Sequence, residues 1–175
     1  MITRIFTVLF SFLLVIIQTS FLTHFPNSLA WLHLLLLAVL YAAFFLQFEW
    51  AILLAVSGGL LLDMLSIWPF GIITIILLLS LLLEFLLSLG LLTNKSLYSW
   101  LVLIVVTTLI FQGLMIAFNY GLYFSKVTDM LLNWEQIKMR LFVSLSCNTV
   151  FGLILFFLGH RWLEKKFIFA KNAST

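Results

Sequence analysis

The sequence predicts an all-α, polytopic integral membrane protein with six transmembrane helices, and three observations predict it. Of 175 residues, 65% are hydrophobic and only 9% charged. A soluble domain is about 25% charged, so this chain has too little polar side chain to cover a water-soluble globule. Mean hydropathy is +1.26. No Lys or Arg occurs between Arg4 and Lys95, so half of the chain is a succession of apolar runs divided only by turn residues. Crossing about 30 Å of hydrocarbon takes roughly 20 apolar residues. A length of 175 residues is therefore expected to hold a single transmembrane domain, with no room for a soluble catalytic head.

The first span is expected over 5–21, followed by a turn at Pro26, Asn27 and Ser28, residues that stop one helix and cap the next. A second runs over 29–48, its far end marked by Gln47 and Glu49. The third, 50–68, stops at Pro69, Phe70 and Gly71, because proline disfavours helical geometry in the residue before it and glycine permits the turn. A fourth covers 72–92, a fifth 97–124 after Thr93 and Asn94, and a sixth 141–158. Residues 125–140 differ in kind: Val127, Met130, Leu131, Trp134 and Ile137 recur at helical spacing, with Lys126, Asp129, Glu135 and Lys138 between them. This pattern predicts an amphipathic external helix at the membrane interface, a candidate partner-binding element; a solvated loop is the alternative. The residues from 159 to 175 form a basic tail.

Topology follows from the cations. With the N-terminus inside, Arg4, Lys95, Arg161, Lys165, Lys166 and Lys171 are cytoplasmic, and Lys126, Lys138 and Arg140 are outside. The positive-inside rule thus expects both termini in the cytoplasm. Arg4 ahead of an apolar run also suits a secretory signal, but Gln18, Thr19 and Ser20 lead into no small-x-small cleavage pattern, so the first span is expected to be retained.

Two carboxylates lie inside spans. Inserting Asp63 costs roughly 2.5 to 3.5 kcal/mol, which the Leu and Ile of the same span offset. Ala51, Ala55, Gly59 and Asp63 are four apart, a ladder of small side chains on one helix face that lets another helix approach. Asp63 is then either a binding or gating group, or a structural group bonded to Ser66 or to freed backbone near Pro69 and Gly71; both readings stand. Glu84, with Ser80 and Ser88 one turn to either side, is expected to be an acid of the bundle interior. At about 1.5 Å per residue, the two carboxylates differ in depth by roughly a dozen ångströms, too far to share a proton as a catalytic dyad.

No other chemistry stands out. His24, His33 and His160 do not cluster by spacing, Cys147 is the lone cysteine, and no metal-ligand motif, nucleophile elbow or phosphate loop is present. The expectation is a non-enzymatic protein with no cofactor and no metal. Gln18, Gln112, Asn119 and Asn148 read as groups that hydrogen-bond between helices, and Ser144, Asn148 and Gly152 make a second close-packing ladder. Apart from Asp63, the outer halves of the spans read as poor in polar groups.

The block Gly59-Leu60-Leu61-Leu62-Asp63, followed by Pro69-Phe70-Gly71, resembles the central signature of the MreD family of rod-shape-determining membrane proteins. Gln18-Thr19-Ser20-Phe21 and the Pro26-Asn27 turn are similar to that family's first hairpin, and length and span number fit over nearly the whole chain. The resemblance implies a multi-pass protein of the bacterial cytoplasmic membrane, a scaffold in the machinery that elongates the cell. Its implied partners are an MreC-like bitopic protein, an MreB-type filament, and the RodA and penicillin-binding synthases that build lateral peptidoglycan. The family also resembles the six-helix S-components of energy-coupling-factor transporters. That second likeness implies an S-component-like bundle and an alternative role, a substrate- or lipid-binding transporter subunit. Under either role Gly59, Asp63, Pro69, Gly71 and Glu84 are the candidate functional or packing site, and Val127, Met130, Leu131, Trp134 and Ile137 the candidate partner-binding helix.

Overall fold

A computed structural model describes residues 2–21, 32–66, 68–90, 96–126 and 133–172. Six α-helices make up the described chain: α1 Ile2–Ile16, continued by a π-helical turn at Ile17–Phe21, α2 Leu34–Phe45, α3 Phe48–Leu65, α4 Ile72–Gly90, α5 Leu97–Phe124 and α6 Trp134–Asn172. Among the described residues there is no strand. Four helical stretches are long and apolar enough to cross a membrane, Thr3–Ser20, Phe48–Leu65, Leu97–Phe124 and Trp134–Gly159, while Leu34–Phe45 and Ile72–Ser88 are shorter apolar helices.

The centre of the bundle is α2, which touches each of the other five helices. Its sequence, LLLLAVLYAAFF, has no polar face to present to water, and a helix that is apolar all round belongs in a core. Leu35, Leu36, Leu37 and Leu40 are at most 1% exposed. Around it α1 packs on α3, α3 on α4, α4 on α5 and α5 on α6. Small residues set the closest approaches: Ser11 of α1 meets Ser57 of α3 with hydroxyl oxygens 2.9 Å apart. At the C-terminal end of α2, Phe44, Phe45, Trp100 and Phe156 pack their rings at tilted and edge-on angles, and the Trp100 Nε1–H donates to the Gly152 carbonyl at 2.7 Å.

Several boundaries move from their expected places, each for a local reason. The chain breaks at Leu46 and Gln47, and α3 begins at Phe48 because Gln47 is extended (φ −134°, ψ 146°); Glu49 then lies in the first turn, where a carboxylate suits the helix dipole. Extended Ser66 (φ −92°, ψ 159°) ends α3 at Leu65. The expected division between an amphipathic helix over 125–140 and a span from 141 is corrected. Trp134 to Arg140 form the opening turns of α6, which continues without a break to Asn172. No Gly or Pro falls between Trp134 and Phe151 to interrupt it, and the Gln136 side chain accepts the Asn133 N–H at 3.1 Å as half of a capping box.

Candidate functional site

The turn between α3 and α4 assembles four of the five expected site residues. Gly71 has φ +96°, left-handed backbone that glycine adopts without strain, and the Ile72 N–H closes the turn on the Pro69 carbonyl at 3.3 Å. Nearly two turns inside α3 from its end at Leu65, Gly59 permits the hairpin to close. A Cβ at that position would stand 2.9 Å from both the Cα and the hydroxyl of Thr74, so the two backbones touch there.

The close approach delivers Asp63 to the start of α4. Its Oδ1 accepts the Ile73 N–H at 2.8 Å, and its Oδ2 accepts the Thr74 N–H at 3.1 Å as well as the Thr74 hydroxyl. The first N–H groups of any helix lack an intrahelical partner; here a side chain from the neighbouring helix supplies it. Asp63 is only 3% exposed, in surroundings where a bare N–H would cost several kcal/mol. Of the two readings open for Asp63, this geometry is the structural one in a sharper form. Ser66 does not meet the carboxyl: its hydroxyl donates to the Asp63 backbone carbonyl at 3.2 Å.

The start of α2 is treated the same way. Gln18, turned inward by the π-helical turn, accepts the Leu35 N–H at 3.0 Å through Oε1, and Asn148 of α6 accepts the His33 N–H through Oδ1 at 3.1 Å. Asn148 Nδ2 donates onward to Thr108 and Ser144 at 3.3 and 3.4 Å. Gln112 Nε2 lies 3.0 Å from the Ser144 hydroxyl and 2.8 Å from His33 Nε2, and the His33 ring packs on Phe111 with centroids 4.8 Å apart. Thr108, Gln112, Ser144 and Asn148 are fully buried. Gln112 Oε1 and, two turns along α5, Asn119 Oδ1 are buried without a hydrogen-bond partner among the described residues.

This cluster corrects the expectation that the half of the bundle holding Asp63 has few other polar groups. They were visible as single residues, but His33, Gln112 and Ser144 are 79 and 32 positions apart, and no local spacing joins them. The inter-helix role expected of Gln18, Gln112 and Asn148 is what the structure has.

Glu84 stands apart from both groups. It lies ten residues beyond Thr74 on α4, about 15 Å along the axis at 1.5 Å per residue. It is 3% exposed, and its Oε2 has no hydrogen-bond partner among the described residues. Ser80 and Ser88 donate instead to the backbone carbonyls of Ile76 and Phe85, each at 2.8 Å. Of the expected partner-binding helix, Val127, Met130 and Leu131 lie outside the described residues. Trp134 is exposed at 66% with the Lys138 ammonium 5.8 Å from its ring centre. Ile137 is buried at 6%, so it does not share a free face with Trp134. Among the described residues no group of three or more His, Cys, Asp or Glu is placed to hold a metal ion. Comparison with known protein families, with characterised proteins and with solved structures finds no match.

Proposed function

We propose that this chain is a non-enzymatic scaffold of the bacterial cytoplasmic membrane, an MreD-like component of the machinery that elongates the cell. In this reading it crosses the membrane six times with both termini in the cytoplasm, and it binds an MreC-like bitopic partner beside the wall synthases and the MreB-type filament. The observation that carries the reading is how the residues of the signature block are used. Asp63 is consumed by the first turn of α4, Gly59 by the approach of Thr74, and Gly71 by the turn. The block thus builds a rigid hairpin rather than a chemical site. What remains for recognition is apolar surface, most of all on α1, where Phe6, Leu9 and Leu13 are 72%, 61% and 53% exposed. Helices associate in a bilayer through van der Waals packing, and this face is open to a partner helix.

One observation favours the second reading, a substrate- or lipid-binding subunit of a transporter. The acceptors of Gln112 and Asn119 are buried without partners among the described residues, and a buried acceptor in a bundle is a place where a bound polar group is stabilised. The two readings separate on one experiment, purification of the tagged protein from its native membrane in mild detergent with identification of what travels with it. An MreC-like protein and wall synthases are expected. A coupling ATPase pair in their place would overturn the scaffold reading.

A further inference from the structure

Between α1, α2, α3 and α6 runs a groove of about 820 Å³, within the size range of small-molecule sites. The lining is apolar almost throughout; the lining residues whose side chains hold a polar atom, Thr3, Thr7, Tyr41 and Trp50, come toward the end where α1 begins, while Leu14 and Leu34 mark the far end. From Thr3 to Leu14 the α1 wall is about 16 Å long at 1.5 Å per residue, one leaflet of a hydrocarbon core of about 30 Å. A transmembrane helix of a partner would need a seat of twice that length. An acyl chain needs only one leaflet.

A headgroup site adjoins the polar end. A recess of about 290 Å³ shares Trp50 with the groove and is lined by Arg4 and Glu49. Arg4 and Glu49 both line this recess as opposite charges, and among the described residues no ion pair joins them. A guanidinium matches a phosphate oxygen in a forked, charge-assisted hydrogen bond, and a carboxylate matches a primary ammonium. A headgroup with a phosphate and an ammonium a few bonds apart satisfies both, and indole and phenol rings are the side chains that settle at headgroup level.

We propose that the groove holds the acyl chains of one phosphatidylethanolamine molecule, with its phosphate at Arg4 and its ammonium at Glu49. The proposal needs only that the bundle lies in a bilayer, and stands whether or not the scaffold reading does. It sets an order of preference. Phosphatidylcholine, whose quaternary ammonium has no N–H to donate, loses the Glu49 bond, and phosphatidylglycerol has no cation at all. A charge-assisted hydrogen bond amounts to about tenfold in affinity.

The test is native mass spectrometry of the full chain, delipidated in mild detergent and titrated with each of the three lipids. One phosphatidylethanolamine per chain is expected, bound about tenfold more tightly than phosphatidylcholine. Glu49→Gln is expected to bring the two lipids to parity, and Arg4→Gln to weaken both. Ala38→Phe, which places a ring in the groove from a partly exposed wall position, is expected to abolish the bound species while the thermal melt stays that of the parent chain. Equal binding of phosphatidylethanolamine and phosphatidylcholine by the parent chain, or undiminished binding by Ala38→Phe, overturns the proposal.

Discussion

Asp63 and Thr74 are joined at both the backbone and the side chain of Thr74, which gives the carboxylate its N–H at 3.1 Å and also its hydroxyl. A residue of one helix thereby caps the first-turn N–H groups of the next. Asp63→Asn keeps one acceptor but sets an amide N–H against the Thr74 donors, a loss of about 1–3 kcal/mol. Asp63→Leu leaves the Ile73 and Thr74 N–H groups bare in apolar surroundings, each costing several kcal/mol. Unfolding followed by circular dichroism, with SDS titrated into mild detergent, is expected to rank the parent chain above Asn and Asn well above Leu. A Leu variant as resistant as the parent would show that the cap contributes nothing.

The glycines separate by what faces them. Gly59→Ala drives a Cβ to 2.9 Å from the Thr74 Cα, backbone that cannot swing aside. Over-packing of this kind costs about 1–3 kcal/mol. Gly113 and Gly121 have nothing within 4 Å of a notional Cβ, and alanine there gains about 0.5–1 kcal/mol of helix propensity. The same detergent titration is expected to move in opposite directions for Gly59→Ala and Gly113→Ala; equal shifts would remove the special status of Gly59.

How far the sequence predicted these features depends on whether the determining contact was local. The helix α5, Leu97–Phe124, matches its expected bounds because Ser96 caps it, accepting the Ser99 N–H at 3.2 Å, within one turn of chain. The ladder of Ala51, Ala55, Gly59 and Asp63 was legible from four-residue spacing, and all four are buried. The atoms Asp63 would meet were not, since they belong to the next helix and depend on the Gly71 turn. The groups around His33 come from α2, α5 and α6, and hydropathy locates helices without saying which are neighbours. The start of α6 lies ahead of its expected place because charges at Glu135 and Lys138 look like an interfacial pattern. Those two residues pair with each other at 2.7 Å on the helix surface and do not end the helix.

The start of α2 offers a second test of capping by neighbours. Asn148→Ala removes the acceptor of the His33 N–H and the donor to Thr108 and Ser144, and Gln18→Ala removes the acceptor of the Leu35 N–H. Each is expected to cost about 1–3 kcal/mol. Hydrogen exchange is the direct readout: the first-turn amides of α2 should exchange faster in either variant, while those of the α4 first turn stay protected. Unchanged exchange at Leu35 in Gln18→Ala would mean that the cap is redundant.

Glu84 inverts the direction of these predictions. A buried carboxyl with an oxygen lacking a partner among the described residues is an expense to the fold, since burying an unbonded polar group costs about 1–3 kcal/mol on the scale of protein variants. Of its neighbours along the same face, Leu77, Leu81 and Ile76 are buried and apolar, and the buried Ser80 hydroxyl is already bonded to the Ile76 carbonyl, so a leucine suits the surroundings. Replacing an unpaired buried polar group with a hydrophobe of similar volume is neutral or stabilising. Glu84→Leu is therefore expected to unfold at a higher SDS fraction than the parent chain, by about 1–3 kcal/mol, whereas Asp63→Leu unfolds at a lower one. If Glu84→Leu is instead the less stable protein, its carboxyl has a bonded partner in the membrane, and the acid belongs with Asp63 among the structural groups. On the scaffold reading proposed above, a more stable Glu84→Leu protein that fails to support growth in rod form would make Glu84 a group retained for function against the interest of the fold.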